Sequence, residues 1–431
     1  MSKNYYTNVQ SWGNSVLFRG IVDGQRIKER LEYSPSLWVP SKKPTEWKTL
    51  KGDYLERKEF NDISSAKEFT KMYDGVSNAP EIFGNTRYEY AFIAEHYPND
   101  IEWSLDDLEI GIIDIEVGSE NGFPDPYVAN EPITAICLTY LNGDTFVFGC
   151  GDYQVQGKEK YIKCPDEYHL CKSFLTLWSK KTPDIITGWN TKFFDIPYLY
   201  NRLNRVLGEE ETRKLSPWRF IMERKEAFQG RQLISYEIKG VASLDYLILY
   251  KWYSPHGKSQ ESYKLDAIAH FEINAHKLSY DEYESLHQLY KLNFQKFIEY
   301  NIKDVDLIVQ MEDKLKLLEL AITLAYDTKS NFEDVFAQTR MWDAMTASFL
   351  YNNNIVVPPK VVHEKDEAFI GAYVKEVQVG KHEWVAAFDL DSLYSHLMMQ
   401  YSISPETLVD RSYIPERKKV LIEELKRRNQ I

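Results

Sequence analysis

The chain has 431 residues, of which 43% are hydrophobic and 14% aromatic, enough for roughly two to four domains with their own cores. No apolar run approaches the about 18 residues of a membrane span, and the start MSKNYYTNVQ lacks a basic-then-apolar leader, so a membrane protein and a secreted one are not expected. Cys137, Cys150, Cys164 and Cys171 form no C-x-x-C pair and read as reduced thiols of a cytosolic protein. A net charge of −13 opposes passive binding to nucleic acid. Against that, a metal-binding site must concentrate carboxylates, and the basic residues are clustered. Lys42, Lys43, Lys48 and Lys51 form one group, Arg202, Arg205, Arg213 and Lys214 a second, Arg219, Arg224, Lys225 and Arg231 a third, and residues 411–428 a basic tail.

In chain order, β-like runs at 15–18, 27–33 and 37–39 precede a helical stretch at 64–73, the pattern of an α+β module. Residues 108–117 (LEIGIIDIEV) are apolar on both faces, as a strand covered on two sides should be. Strands follow at 133–140 and 145–149 around an Asn142-Gly143-Asp144 turn, then a helix at 167–180, a strand at 184–188 and a helix at 197–207. This alternation predicts a mixed α/β sheet. Residues 232–238 alternate polar and apolar, one arm of a protruding hairpin or equally an edge strand. Residues 294–325 are helical, as one helix or two, and 356–359 read as a connector. A strand at 383–390 and a basic helix at 416–428 complete the expectation.

Asp114 and Glu116 project from one face of their strand, beyond the apolar Ile110 and Ile112. Two ionised carboxylates at that place are costly unless a cation neutralises them or the strand has surfaced. Asp195 stands between a strand end and a helix carrying Pro197. It is a helix N-cap on one reading and a catalytic group beyond a strand end on the other. Tyr300 and Asp304, at i and i+4, share a helix face with Phe297 and Ile308. A Tyr beside a metal-bound carboxylate can orient an attacking water, although such pairs also occur on ordinary helix flanks.

Taken together, Asp-Ile-Glu at 114–116, Asn190-x-x-x-Phe194-Asp195 and Tyr300-x-x-x-Asp304 resemble the 3′→5′ proofreading exonuclease of family B DNA polymerases. The likeness is to those of tailed bacteriophages, through Phe123-Pro124-Asp125-Pro126, Thr187-Gly188-Trp189-Asn190 and Leu244-Asp245-Tyr246. The resemblance implies that Asp114, Glu116, Asp195 and Asp304 hold two Mg²⁺ (or Mn²⁺) ions about 4 Å apart and that Tyr300 orients the water. Phe123 and Asn190 would meet DNA, Phe123 by stacking on a frayed primer end. The 230–240 segment would be a primer-partitioning hairpin, and Asp245 is left as structural.

Phe388-Asp389-Leu390-Asp391-Ser392-Leu393-Tyr394 resembles the first polymerase motif of that family. It implies Asp389 as a metal ligand, and Asp389, Leu390, Leu393 and Tyr394 as a nucleotide site in which Tyr394 excludes a 2′-hydroxyl. Ser395 and His396 depart from the family's Pro and Ser. The family's later Asn-Ser-x-Tyr-Gly and Asp-Thr-Asp motifs do not occur, so polymerisation by these residues alone is not expected.

The implied fold is α/β and α+β multidomain. It comprises an N-terminal domain at 1–106, an RNase H-like (DnaQ-type) exonuclease domain at 107–316, a return to the first domain at 317–378 and an incomplete palm at 379–431. The implied partners are primer-template DNA, single-stranded 3′ ends, RNA, and a second polypeptide with the remaining palm, fingers and thumb. A sliding clamp would bind only through the missing C-terminal part. The alternative is a truncated fragment that binds DNA or RNA without catalysis.

Overall fold

The computed structural model describes residues 3–358 except 74, 75, 77, 78, 121, 123, 229 and 230, and also 373–404, 407, 420 and 423. The chain divides into two compact units, 1–361 and 362–431.

The first unit opens with an antiparallel meander, β1 (Tyr5–Trp12), β2 (Ser15–Val22) and β3 (Gln25–Glu32). A small sheet of β4 (Ser36–Pro40), β5 (Trp47–Lys48) and β6 (Tyr54–Glu59) follows, then α1 (Ile63–Tyr73) and α2 (Tyr88–His96). These elements match the α+β expectation.

A third sheet has six strands in the order β10-β9-β8-β7-β11-β14. They are β7 (Ile110–Val117), β8 (Ile133–Tyr140), β9 (Thr145–Gly149), β10 (Lys160–Lys163), β11 (Ile185–Thr187) and β14 (Ala242–Ser243). β7 lies inside it, antiparallel to β8 and parallel to β11. Its two faces enter different cores, which is why the segment carries apolar residues on both faces. Ile113 and Ile115 pack with Leu170, Phe174 and Leu199 of α3 (Glu167–Lys180) and α4 (Asp195–Leu207). Ile110 and Ile112 share the other core with Phe297, Ile298, Val305 and Ile308. The result is a helix–sheet–helix sandwich, the RNase H-like (DnaQ-type) architecture.

Beyond α4 and the single turn α5 (Glu209–Thr212), β12 (Ile221–Phe228) pairs antiparallel with β13 (Arg231–Ile238) over eight residues each. They form a separate two-stranded sheet, which decides for a hairpin over an edge strand. Helices α6 (Tyr246–Tyr253), α7 (Leu265–Ile273) and α8 (Leu286–Leu292) then lead to α9 (Phe294–Leu315). Lys316, in a left-handed conformation at φ 54°, separates α9 from α10 (Leu317–Asp327). The long helical stretch is therefore two helices.

After α10 the chain returns to its start. The Asn331 side chain accepts from Val9 N at 2.9 Å and donates to Val9 O at 2.8 Å, while Tyr6 donates to Ser330 O. Tyr90 donates to Asp334, and α11 (Gln338–Asn352) packs beside α2. The meander and the six-stranded sheet are joined by buried Asp184. Arg26 bonds it at 2.6 Å, and Arg19 pairs with it and also donates to Pro183 O. No helix among the described residues is long and apolar enough to cross a membrane.

The second unit contains α12 (Leu393–Tyr401), opened by left-handed Ser392. The strand expected at 383–390 is not seen: the segment has no ladder partner among the described residues, and without paired N–H and C=O groups an extended run is not a strand. The basic helix expected at 416–428 lies outside the described residues, apart from 420 and 423.

Candidate metal centre

The alternation of β7 puts Asp114 and Glu116 on the face that carries Ile110 and Ile112, toward α9. The register with β8 shifts between Glu116 and Val117, a bulge that re-aims the side chain beside it. From α9, Asp304 meets them. Carboxylate oxygens of Asp114, Glu116 and Asp304 lie within 4.8 Å of one another, the one such group of potential metal ligands among the described residues. Glu116 and Asp304 are buried, and Asp304 Oδ1 has no hydrogen-bond partner.

Burial and mutual repulsion set the protonation of this cluster. Glu116 is raised to about 8, by desolvation first and then by Asp304. Asp114 is pushed well up by desolvation, with Asp304, Glu116 and Asp195 adding to it. Asp304 is raised by burial against the opposing pull of Lys277. Two unit charges 4 Å apart repel by about 4 kcal/mol at an effective dielectric near 20. Bare carboxylates at this spacing therefore call for protons or a cation. The donor set is all oxygen, partly orphaned and buried, which suits a hard divalent ion.

Asp195 stands apart from the closest three. It is the first residue of α4, not its cap, and its Oδ1 accepts from Ile115 N at 3.1 Å, so the N-cap reading fails. Burial raises it to about 7. The preceding turn depends on Gly188, where a Cβ would lie 2.5 Å from Ile113 O and collide with Thr191. Asn190 adopts φ 64°, and its carbonyl accepts from Phe194 N, shaping the turn. Asp245 caps α6 through Ile248 N and also accepts from Lys192 N at 2.9 Å, a structural role as expected. Tyr300 is buried on α9, edge-on to Tyr280 at 5.4 Å.

Two residues escaped the sequence reading. Lys277 Nζ lies 2.5 Å from Asp304 Oδ2 and 3.0 Å from the Tyr300 hydroxyl. Asn301, fully buried, donates to Asp114 Oδ2 at 2.6 Å. Phe123 lies outside the described residues. Asp389 and Leu390 precede α12, and Leu393 and Tyr394 are in its first turn. The structure does not bring Asp389 into a group of three metal-ligating side chains among the described residues.

The paired carboxylates of a central strand thus face a helix-borne Tyr and Asp inside an RNase H-like (DnaQ-type) sandwich. Residues 74–268 match the model of the DNA polymerase family B exonuclease domain. The chain thus carries a family B DNA polymerase exonuclease domain, homologous to those of tailed-phage polymerases. It is 32% identical to the DNA-directed DNA polymerase of Escherichia phage RB69, over 94% of this chain and 48% of that protein. The DNA-directed DNA polymerase of Enterobacteria phage T4 is 28% identical over 94% and 47%. The DNA polymerase delta catalytic subunit of Candida albicans is 25% identical over 76% and 33%. The chain spans about half the length of the phage relatives.

Proposed function

We propose that the chain is a metal-dependent 3′→5′ exonuclease that removes nucleotides from single-stranded or frayed DNA 3′ ends. The observation that carries this reading is the group of three carboxylates within 4.8 Å on β7 and α9, in a chain with a polymerase exonuclease domain. Asp114, Glu116 and Asp304 would hold divalent cations, Mg²⁺ or Mn²⁺, with Asp195 beside them. Bound there, two such ions would supply the charge that activates water and stabilises the departing 3′-oxygen.

The protein's own groups position the rest. Asn301 fixes the rotamer of Asp114, and Ile115 N fixes that of Asp195. Lys277 donates to the Tyr300 hydroxyl, leaving that hydroxyl's proton free to orient a water. Water oxygen then bonds to the terminal phosphorus as the P–O3′ bond breaks, and a deoxynucleoside monophosphate leaves. Phe123 and Asn190 are the proposed DNA contacts, and the β12–β13 hairpin the proposed primer guide. Residues 317–358 are proposed to complete the first domain, a division supported by the Val9–Asn331 bonds.

Asp389, Leu390, Leu393 and Tyr394 are proposed to belong to a polymerase site whose other motifs lie outside these residues, on another polypeptide if the polymerase is split. The test incubates the purified chain with 5′-labelled single-stranded DNA and Mg²⁺, beside an Asp114→Ala/Glu116→Ala variant. A 3′-shortening ladder from the parent alone is expected. Equal ladders, or none from either protein, would overturn the assignment.

A further inference from the structure

A cavity of about 640 Å³, separate from the carboxylate cluster, opens where three elements converge. One wall is β3, with Lys28. The second is the outer face of α3, where Lys172, Thr176, Ser179 and Lys180 follow one another at helical spacing. The third is the turn after α5, with Lys214 and Arg219. Seven lining side chains are basic and one, Glu211, is acidic, although acidic residues outnumber basic ones by 65 to 52 in the whole chain.

Most of the pairing that would explain such a concentration is missing. Arg19 and Arg26 are committed to Asp184, and Lys214 to Glu211. Lys28, Lys172, Lys180 and Arg219 form no ion pair among the described residues, and all four are exposed. Lys28 reaches the Pro217 carbonyl and the Trp218 ring instead. Cations gathered in a concave site raise the local potential and attract a polyanion. The volume suits a nucleotide-sized group. The Thr176 and Ser179 hydroxyls on the same wall donate to Lys172 O and Leu175 O within α3, so recognition falls to the cations.

From this we propose that the cavity binds consecutive phosphate groups, either of a nucleic-acid strand or of a free nucleoside polyphosphate. The proposal does not depend on the nuclease reading, because binding is measured in EDTA, where no metal-dependent cleavage intervenes. The probe is a fluorescein-labelled single-stranded oligonucleotide, followed by anisotropy for the full chain and for Lys172→Gln/Lys180→Gln/Arg219→Gln. The triple variant is expected to bind at least about tenfold more weakly, with a salt slope lower by about 2. A Lys42→Gln/Lys43→Gln control is expected to bind like the parent. Displacement of the strand by inorganic tripolyphosphate assigns the site to any run of phosphates, and displacement by unlabelled strand alone assigns it to the nucleic-acid backbone. Equal affinity of parent and triple variant, or an equal loss in the control, would overturn the proposal. Unchanged thermal denaturation of the triple variant separates lost binding from lost folding.

Discussion

Asn301 Nδ2 and Asp114 Oδ2, 187 positions apart in sequence, are joined by a 2.6 Å hydrogen bond across the helix–sheet interface. The bond links α9 to the carboxylate that opens the β7 pair. Partners that orient a metal-ligating carboxylate typically affect metal affinity or activity by about 10–100-fold. Asn301→Ala is therefore expected to lower kcat on single-stranded DNA by that factor and to raise the Mg²⁺ needed for half-maximal rate. DNA affinity measured in EDTA should stay unchanged, and a variant with parental Mg²⁺ dependence would contradict the orienting role.

The pH dependence of the metal-free protein follows from the raised carboxyls. Glu116 at about 8 and Asp195 at about 7 hold protons in the folded chain that they release nearer 4 when unfolded. Between those limits the native state binds more protons, so unfolding free energy falls as pH rises. In EDTA, Tm is expected to drop from pH 5 to pH 8. Added Mg²⁺ should raise Tm more at pH 8 than at pH 5.5. Differential scanning calorimetry at the two pH values checks both signs, and a Tm that rises with pH in EDTA would contradict them.

Lys277 is the cation nearest this cluster, and its ion pair with Asp304 is largely enclosed. Removing one member of a buried pair leaves an uncompensated charge and costs on the order of 3 kcal/mol. Lys277→Gln is expected to lose about that much stability at pH 8 in EDTA and less at pH 5, where the carboxyls are protonated. Urea denaturation at both pH values reads the difference.

Gly188 admits no side chain, because the Ile113 carbonyl and Thr191 already fill the place of a Cβ. Gly188→Ala is expected to cost about 1–3 kcal/mol, the usual range for overpacking. It should also displace the turn before Asp195 and reduce nuclease rate. Stability and rate measured on the same preparation test the coupling.

The carboxylates were legible because strand and helix periods are short-range rules. Asp114 and Glu116 at i and i+2, and Tyr300 and Asp304 at i and i+4, had to share faces once their elements were recognised. Lys277 was not legible, since it lies in an irregular stretch after α7 whose course is set by Asp266 accepting from its backbone N–H. Asn301 left a signal that went unread. It stands four residues after Phe297 in the buried stripe of α9, where a polar side chain needs a partner. The two readings of Asp195 stay open in the sequence for a different reason. A cap and a cross-strand acceptor look alike in sequence, and only packing against β7 separates them. The 383–390 segment shows the limit for strands, whose formation depends on a partner that its own residues do not specify.

The two hydrogen bonds between Val9 and Asn331 bear on how this protein is made. Val9 must wait 322 positions for the side chain that closes its strand. At about 5–20 residues per second of synthesis, the wait is on the order of 15–65 s. During that time the nuclease sandwich can emerge and fold, while the meander that precedes it is still unfinished on the ribosome. Stalled nascent chains ending before Asn331 should show a protease-resistant sandwich and a cleavable amino-terminal segment. Resistance of both would mean that β1 is held by something other than Asn331.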